Sequence, residues 1–166
     1  MIMIEKNSFR RMPLIVAAAA FAASALYSAA PAHAHGDVAP QPVDTKGLKA
    51  LPDGDWLSSN PYRGNKKAIE IGSSAYNQNC ARCHGLDAQS GGIAPDLREL
   101  GTNYDDYFIG RVRKGVHRNG VTYMPAFQDT LNQEAMWAIL SYLDKRHYEL
   151  EGKDLETLYS EDDSKQ

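Results

Sequence analysis

Apolar side chains recur at three- and four-residue intervals in three stretches of this chain, and prolines and glycines interrupt that period elsewhere. The first stretch, 66–79, lacks proline and aligns Ile69, Gly72 with Ser73, and Tyr76, which predicts a helix running into Cys80. A second helix is predicted to begin between Asn103 and Asp105. Asn103 suits its cap, Asp105 and Asp106 suit its positive end, and Phe108, Ile109 and Val112 form a buried face before Gly115 stops it. The strongest pattern follows Asn132, another cap residue, and places Met136, Trp137, Ile139, Leu140 and Leu143 inward. Between these helices lie a glycine-rich loop (Gly85, Gly91, Gly92) ending in Pro95, a short turn around 97–100, and a segment over 116–131 read as irregular. The fold class is therefore all-α, with about three main helices.

The flanks differ in composition. Residues 35–65 hold Pro40, Pro42, Pro52 and Pro61 and read as an extended N-terminal arm, which Trp56 and Tyr62 could pin to a folded body. The domain proper then spans 66–147. Residues 148–166 carry Glu149, Glu151, Asp154, Glu156, Glu161, Asp162 and Asp163 against Lys153 and Lys165, an acidic tail read as solvated and either partly helical or disordered.

Lys6, Arg10 and Arg11 precede an uncharged, alanine-rich run from Met12 to Ala32, and Ala32-His33-Ala34 presents small residues where a signal peptidase cuts. Residues 1–34 thus read as a signal peptide and the protein as periplasmic. The competing reading is an uncleaved anchor, since such a run could cross a bilayer. Removing those 34 residues from 166 leaves 132, with Lys plus Arg falling from 18 to 15 and Asp plus Glu from 21 to 20, so the net charge moves from −3 to −5. That balance, with a pI near 5.9, argues against nucleic acid as a partner. Two cysteines are too few for a disulfide scaffold.

Those cysteines stand in Cys80-Ala81-Arg82-Cys83-His84, the pattern C-x-x-C-H of covalent c-type haem attachment. Cysteines three apart share one helical face, so both sulfurs can bond the vinyl groups of one porphyrin while the next residue offers its imidazole to the iron. A Cys80–Cys83 disulfide or thioredoxin-like pair would not require the histidine, and the latter belongs in a βαβ setting. A zinc site of Cys80, Cys83, His84 and His117 would strain adjacent Cys and His toward one tetrahedral ion. Haem c, one per chain and covalent, is the cofactor read from the motif.

A sixth iron ligand decides between electron carriage and substrate chemistry. Met136 falls in the apolar pattern of the last helix, where core packing is its ordinary role. Met124 lies in the irregular segment before Pro125, which holds the backbone extended, and is the expected axial partner of His84; His117 is the rival. Filled axial positions suit a carrier, whereas a displaceable sixth ligand would suit a haem enzyme or ligand sensor. Arg98, Arg111, Arg113 and Lys114 are candidate partners for the haem propionates or for a docking protein.

Taken in order, "IEIGSSAYNQNCARCHG", "GGIAPDLREL", "YMPAF" and "MWAILSYLDKR" resemble the first helix and haem motif, proline loop, axial-methionine loop and last helix of class I monohaem c-type cytochromes. The resemblance implies the cytochrome c fold, packing of Gly72 and Tyr76 near Trp137 and Tyr142, and a Pro95 carbonyl that accepts from the second nitrogen of His84. With "NPYRGNKKAIEIG" included, the chain is similar to the periplasmic c-550 cytochromes that accept electrons from PQQ-dependent (quinoprotein) alcohol dehydrogenases. That implies such a dehydrogenase as donor, a terminal oxidase or another cytochrome as acceptor, and a soluble monomer without a stable membrane anchor.

Overall fold

A computed structural model describes residues 39–52 and 54–163, so the signal-peptide reading of 1–34 lies outside the described residues. In chain order the elements are α1 (Lys66–Asn79), the one-turn α2 (Ala81–His84), α3 (Asp105–Lys114), β1 (Val116–Arg118), β2 (Val121–Met124), α4 (Gln133–Leu150) and α5 (Leu155–Asp163). Single 3-10 turns occupy Leu86–Ala88 and Leu97–Leu100.

The two long helices α1 and α4 form the centre. Asn65 caps α1 by accepting from Ala68 N, and Asn132 caps α4 by accepting from Ala135 N, each satisfying a backbone donor that the first turn leaves free. Gly72 lets the two helices meet at Ala138, and the Tyr76 and Tyr142 rings stack in a tilted pair with centroids 5.4 Å apart. Around that contact lie Trp137, Met136, Ile139, Leu140 and Leu143, all at most 2% exposed.

The described arm has no regular helix or strand up to Lys66 and is held by α4's first turn. Gln133 Oε1 accepts from Leu57 N at 2.7 Å, and Glu134 Oε1 accepts from Leu51 N at 2.8 Å. Tyr62 is buried, and Trp56 lies 4.0 Å from the Arg113 guanidinium. Beside them, Arg63 bridges Asp144 of α4, at 3.0 Å from Nε, and Asp105 of α3.

Three local expectations are revised. Segment 116–124 is an antiparallel hairpin rather than irregular, because Asn119 and Gly120 both take positive φ (51° and 76°) and turn the chain tightly. That pairing is a strong short-range hairpin signal. Helix α3 starts at Asp105 with Tyr104 in the cap position and no side-chain cap, not with Asn103; the Asp105 carboxylate meets Arg63 and Asn60 N instead. The tail is partly helical, one of the two forms expected of it, but not solvated throughout: α5 buries Leu158 completely and Asp162 accepts from Asn65 Nδ2 at 3.0 Å.

Candidate functional site

The motif residues sit where α1 gives way to α2. Cys80 closes α1 by donating its N–H to Tyr76 O at 2.7 Å and opens α2, whose Cys83 and His84 amides both return to Cys80 O at 3.1 and 3.0 Å. One compact turn therefore carries both sulfurs and the imidazole. Gly85 follows with φ of 82°, and a side chain there would meet Gln89 O at 1.8 Å, so glycine is required for the chain to double back. The Tyr76 hydroxyl, donating to Gly85 O at 2.8 Å, ties this turn to α1.

His84 Nδ1 lies 2.9 Å from the Pro95 carbonyl oxygen. A carbonyl only accepts, so Nδ1 must carry the proton, and the lone pair of the neutral ring is left on Nε2. The Pro95 loop is fastened by Asp96, whose carboxylate takes hydrogen bonds from the side chain and backbone of Arg98 and from Ser90 N. Its bond from the Arg98 side chain, with the backbone bonds, holds the Asp96 carboxyl down at about 2 against a partial desolvation cost.

Cys80, Cys83, His84, Pro95 and Met124 all line one cleft of about 500 Å³. Its remaining walls are chiefly apolar: Ile93, Leu97, Leu100, Phe108, Val112, Pro125, Phe127 and Ile139. Met124 closes β2 on a backbone pressed against the end of α3, since a side chain on Gly115 would meet Met124 O at 2.4 Å. Phe127 N then donates to Val112 O at 3.0 Å, locking the segment after Pro125 onto α3.

The competing residues lie elsewhere. Met136 is fully buried in the helix core and does not line the cleft. His117 does not line the cleft, although its neighbours Val116 and Arg118 do; its exposed ring meets Thr122 Oγ1 at 3.0 Å across the hairpin. Among the described residues no group of three or more His, Cys, Asp or Glu side chains is placed to hold a metal ion, so the zinc set of Cys80, Cys83, His84 and His117 is not assembled. Burial pushes the Cys80 thiol up to about 12, with Cys83 adding to the effect, which is the reverse of an activated redox thiolate.

Of the four cations considered for propionates, Arg111 alone lines the cleft; Arg98 is bound by Asp96 and Arg113 covers Trp56. Arg118 joins Arg111 at the cleft. Sequence reasoning missed Arg118, although the Asn119-Gly120 turn would have placed it two residues from Val116 on one strand face.

A c-type haem is a flat apolar ring with two vinyl attachment points, two carboxylates and one iron. The donor set fits it: two cysteines one helical turn apart, a neutral imidazole, a thioether sulfur, two guanidinium groups and apolar walls border the same space. Carboxylates left in such a setting without cations would be costly to desolvate, and Arg111 and Arg118 are the groups that would offset this.

Comparison with known proteins points to a c-type cytochrome. The family described as cytochrome C oxidase, cbb3-type, subunit III matches residues 67–143. Cytochrome c550 of Pseudomonas aeruginosa is 50% identical over 150 residues, which cover 87% of this chain and 98% of that protein. The quinohemoprotein alcohol dehydrogenase ADH-IIG of Pseudomonas putida is 39% identical over 83 residues, 50% of this chain but only 11% of that enzyme. The solved quinohemoprotein alcohol dehydrogenase ADHIIG from Pseudomonas putida HK5 matches with a TM-score of 0.48 at 34% identity, over 64% of this chain and 15% of that one.

Proposed function

We propose, on the premise that the chain belongs to the cytochrome c550 family of c-type cytochromes and carries covalent haem c, that it is a soluble periplasmic one-electron carrier with His84 and Met124 as the axial iron ligands. The haem is fastened through Cys80 and Cys83. Its donor is a PQQ-dependent alcohol dehydrogenase and its acceptor a terminal oxidase or another cytochrome. It is an electron-transfer protein rather than an enzyme.

One observation carries this reading: both sulfurs, a His84 ring oriented by Pro95 and the Met124 thioether border a single apolar cleft. Bound there, haem supplies reversible one-electron storage between its ferric and ferrous states. The chain's own contributions are positional. Cys80 and Cys83 would hold the ring, Pro95 keeps the proton on Nδ1 so that Nε2 is left as a neutral donor for iron, and Met124 would supply a soft sulfur that favours the reduced ion. The apolar wall built by Leu97, Phe108, Val112 and Ile139 excludes water, which disfavours the more highly charged oxidised state.

Support for the donor comes from the match to a quinohemoprotein alcohol dehydrogenase, and support for the compartment from the leader-like composition of 1–34. The test is stopped-flow mixing of the oxidised holoprotein with a PQQ-dependent alcohol dehydrogenase and alcohol, over a range of ionic strength. Reduction within the dehydrogenase's turnover time is expected. Reduction no faster than in the absence of the dehydrogenase would reject the donor, and tight, rapid cyanide binding at neutral pH would instead favour a haem enzyme or ligand sensor.

A further inference from the structure

Between the haem motif and the 3-10 turn at Leu97 the chain runs through Ser90-Gly91-Gly92-Ile93-Ala94-Pro95-Asp96. Two consecutive glycines and an isoleucine that is 78% exposed give this loop little of its own to define a shape. Yet its Pro95 carbonyl oxygen stands 2.9 Å from His84 Nδ1.

The loop is closed by side chains. Asp96 Oδ1 accepts from Arg98 N and Nε, both at 3.0 Å, and Oδ2 accepts from Arg98 Nη2 at 2.7 Å. The same Oδ2 reaches back across the loop to Ser90 N at 3.3 Å. Ser90 Oγ accepts from Gly92 N at 2.9 Å and donates to Ala94 O, the carbonyl next to that of Pro95. On the far side His147 Nδ1, from α4, donates to Arg98 O at 2.8 Å. Pro95 is thereby held from both sides, with Asp96 as the group common to the Ser90 and Arg98 contacts.

The strength of the Nδ1–H···O bond sets how much electron density the imidazole offers through Nε2, because a stronger acceptor draws the proton off and makes the ring more basic. A loop that drifts by a few tenths of an ångström changes that bond directly. We infer that Asp96 is the positioning residue for His84: by spanning Ser90 and Arg98 it holds the Pro95 carbonyl against the imidazole and so tunes the donor strength of the axial nitrogen. The inference rests on His84 being the iron ligand.

Asp96 also lines the cleft, so its charge could act on the potential through space, and the test must separate the two routes. The measurement is solvent exchange of the His84 Nδ1 proton by NMR in the reduced holoprotein, with the reduction potential alongside, for wild type, Asp96→Asn and the charge-neutral Ser90→Ala. Both variants should speed exchange by about fivefold or more, the change expected when a modest hydrogen bond is loosened, and both should raise the potential. A raised potential in Asp96→Asn alone, with exchange unchanged in both variants, would overturn the positioning role in favour of charge acting through space. If the oxidised wild type lacked hyperfine-shifted His84 ring signals, the ligand reading itself would fail and the inference with it.

Discussion

Gly72 on α1 and Ala138 on α4 meet backbone to backbone: a methyl group built on Gly72 would lie 1.9 Å from the Ala138 carbonyl oxygen. Because the obstacle is main chain on a long helix, no rotamer change relieves it. Gly72→Ala should therefore destabilise the holoprotein by at least about 1–3 kcal/mol, read as a lowered urea midpoint, despite alanine's better helix propensity. An unchanged midpoint would mean that the crossing has slack.

The two methionines of the described chain should respond oppositely to truncation. Met124→Ala removes a side chain bordering the cleft, so the long-wavelength ferric band of thioether-ligated haem should vanish and cyanide binding should accelerate. Met136→Ala should keep that band and instead cost about 2–5 kcal/mol of stability, since its side chain is fully buried among α4 neighbours. Retention of the band in Met124→Ala would defeat the axial assignment.

Arg63 is the hinge pin between arm, α3 and α4. Its side chain, 15% exposed, pairs with an Asp144 side chain that is 0% exposed and with Asp105 at 13%. Arg63→Ala leaves both carboxylates in poorly solvated positions without their cation, and should cost about 3–5 kcal/mol in denaturant titration. Arg63→Lys should recover only part of this, because a single ammonium cannot reproduce the guanidinium fork. A loss below about 1 kcal/mol on Arg63→Ala would show that the pair is screened like a surface contact.

Asp96 predicts an acid-labile step. Its carboxyl is lowered to about 2 in the fold from an ordinary value of 3.8, chiefly by the Arg98 side chain. The folded state thus binds its proton less readily than the unfolded chain. The stabilisation is complete above the unfolded value and is lost as pH falls from about 4 toward 2. Stability curves of wild type and Asp96→Asn should converge across that window, and parallel curves there would contradict the assignment.

The helices and their ends were legible because their signals are local. Asn132 caps through its own side chain within three residues, and Gly115 ends α3 through its own positive φ, whereas the Asn65 cap was not singled out and Asn103 proved not to be one. The Asn119-Gly120 turn is equally local, but strands of only three and four residues flank it, too short for alternation to stand out. The docking of α5 was not legible, since one leucine among acids gives a weak pattern. Leu158 is buried only because Gly64 lets the α5 backbone come close; a side chain at Gly64 would meet Leu158 O at 2.2 Å. Likewise nothing near Asp96 in sequence announces that its carboxylate reaches Ser90 six residues earlier.

By itself the sequence determined the attachment turn: Cys80, Cys83 and His84 share a face because helical rise and twist are set by the backbone, whatever surrounds it. It also marked Asn132 at the start of α4 and Gly115 at the end of α3. The apolar period of the last helix already set Met136 apart from Met124, and only the tertiary structure decided which arginines line the cleft and how the Pro95 loop is braced. Arg113 and Arg118 are chemically identical; what distinguishes them is the packing of elements far apart along the chain, which sets Arg113 over Trp56 and Arg118 at the cleft, a property that no local spacing encodes.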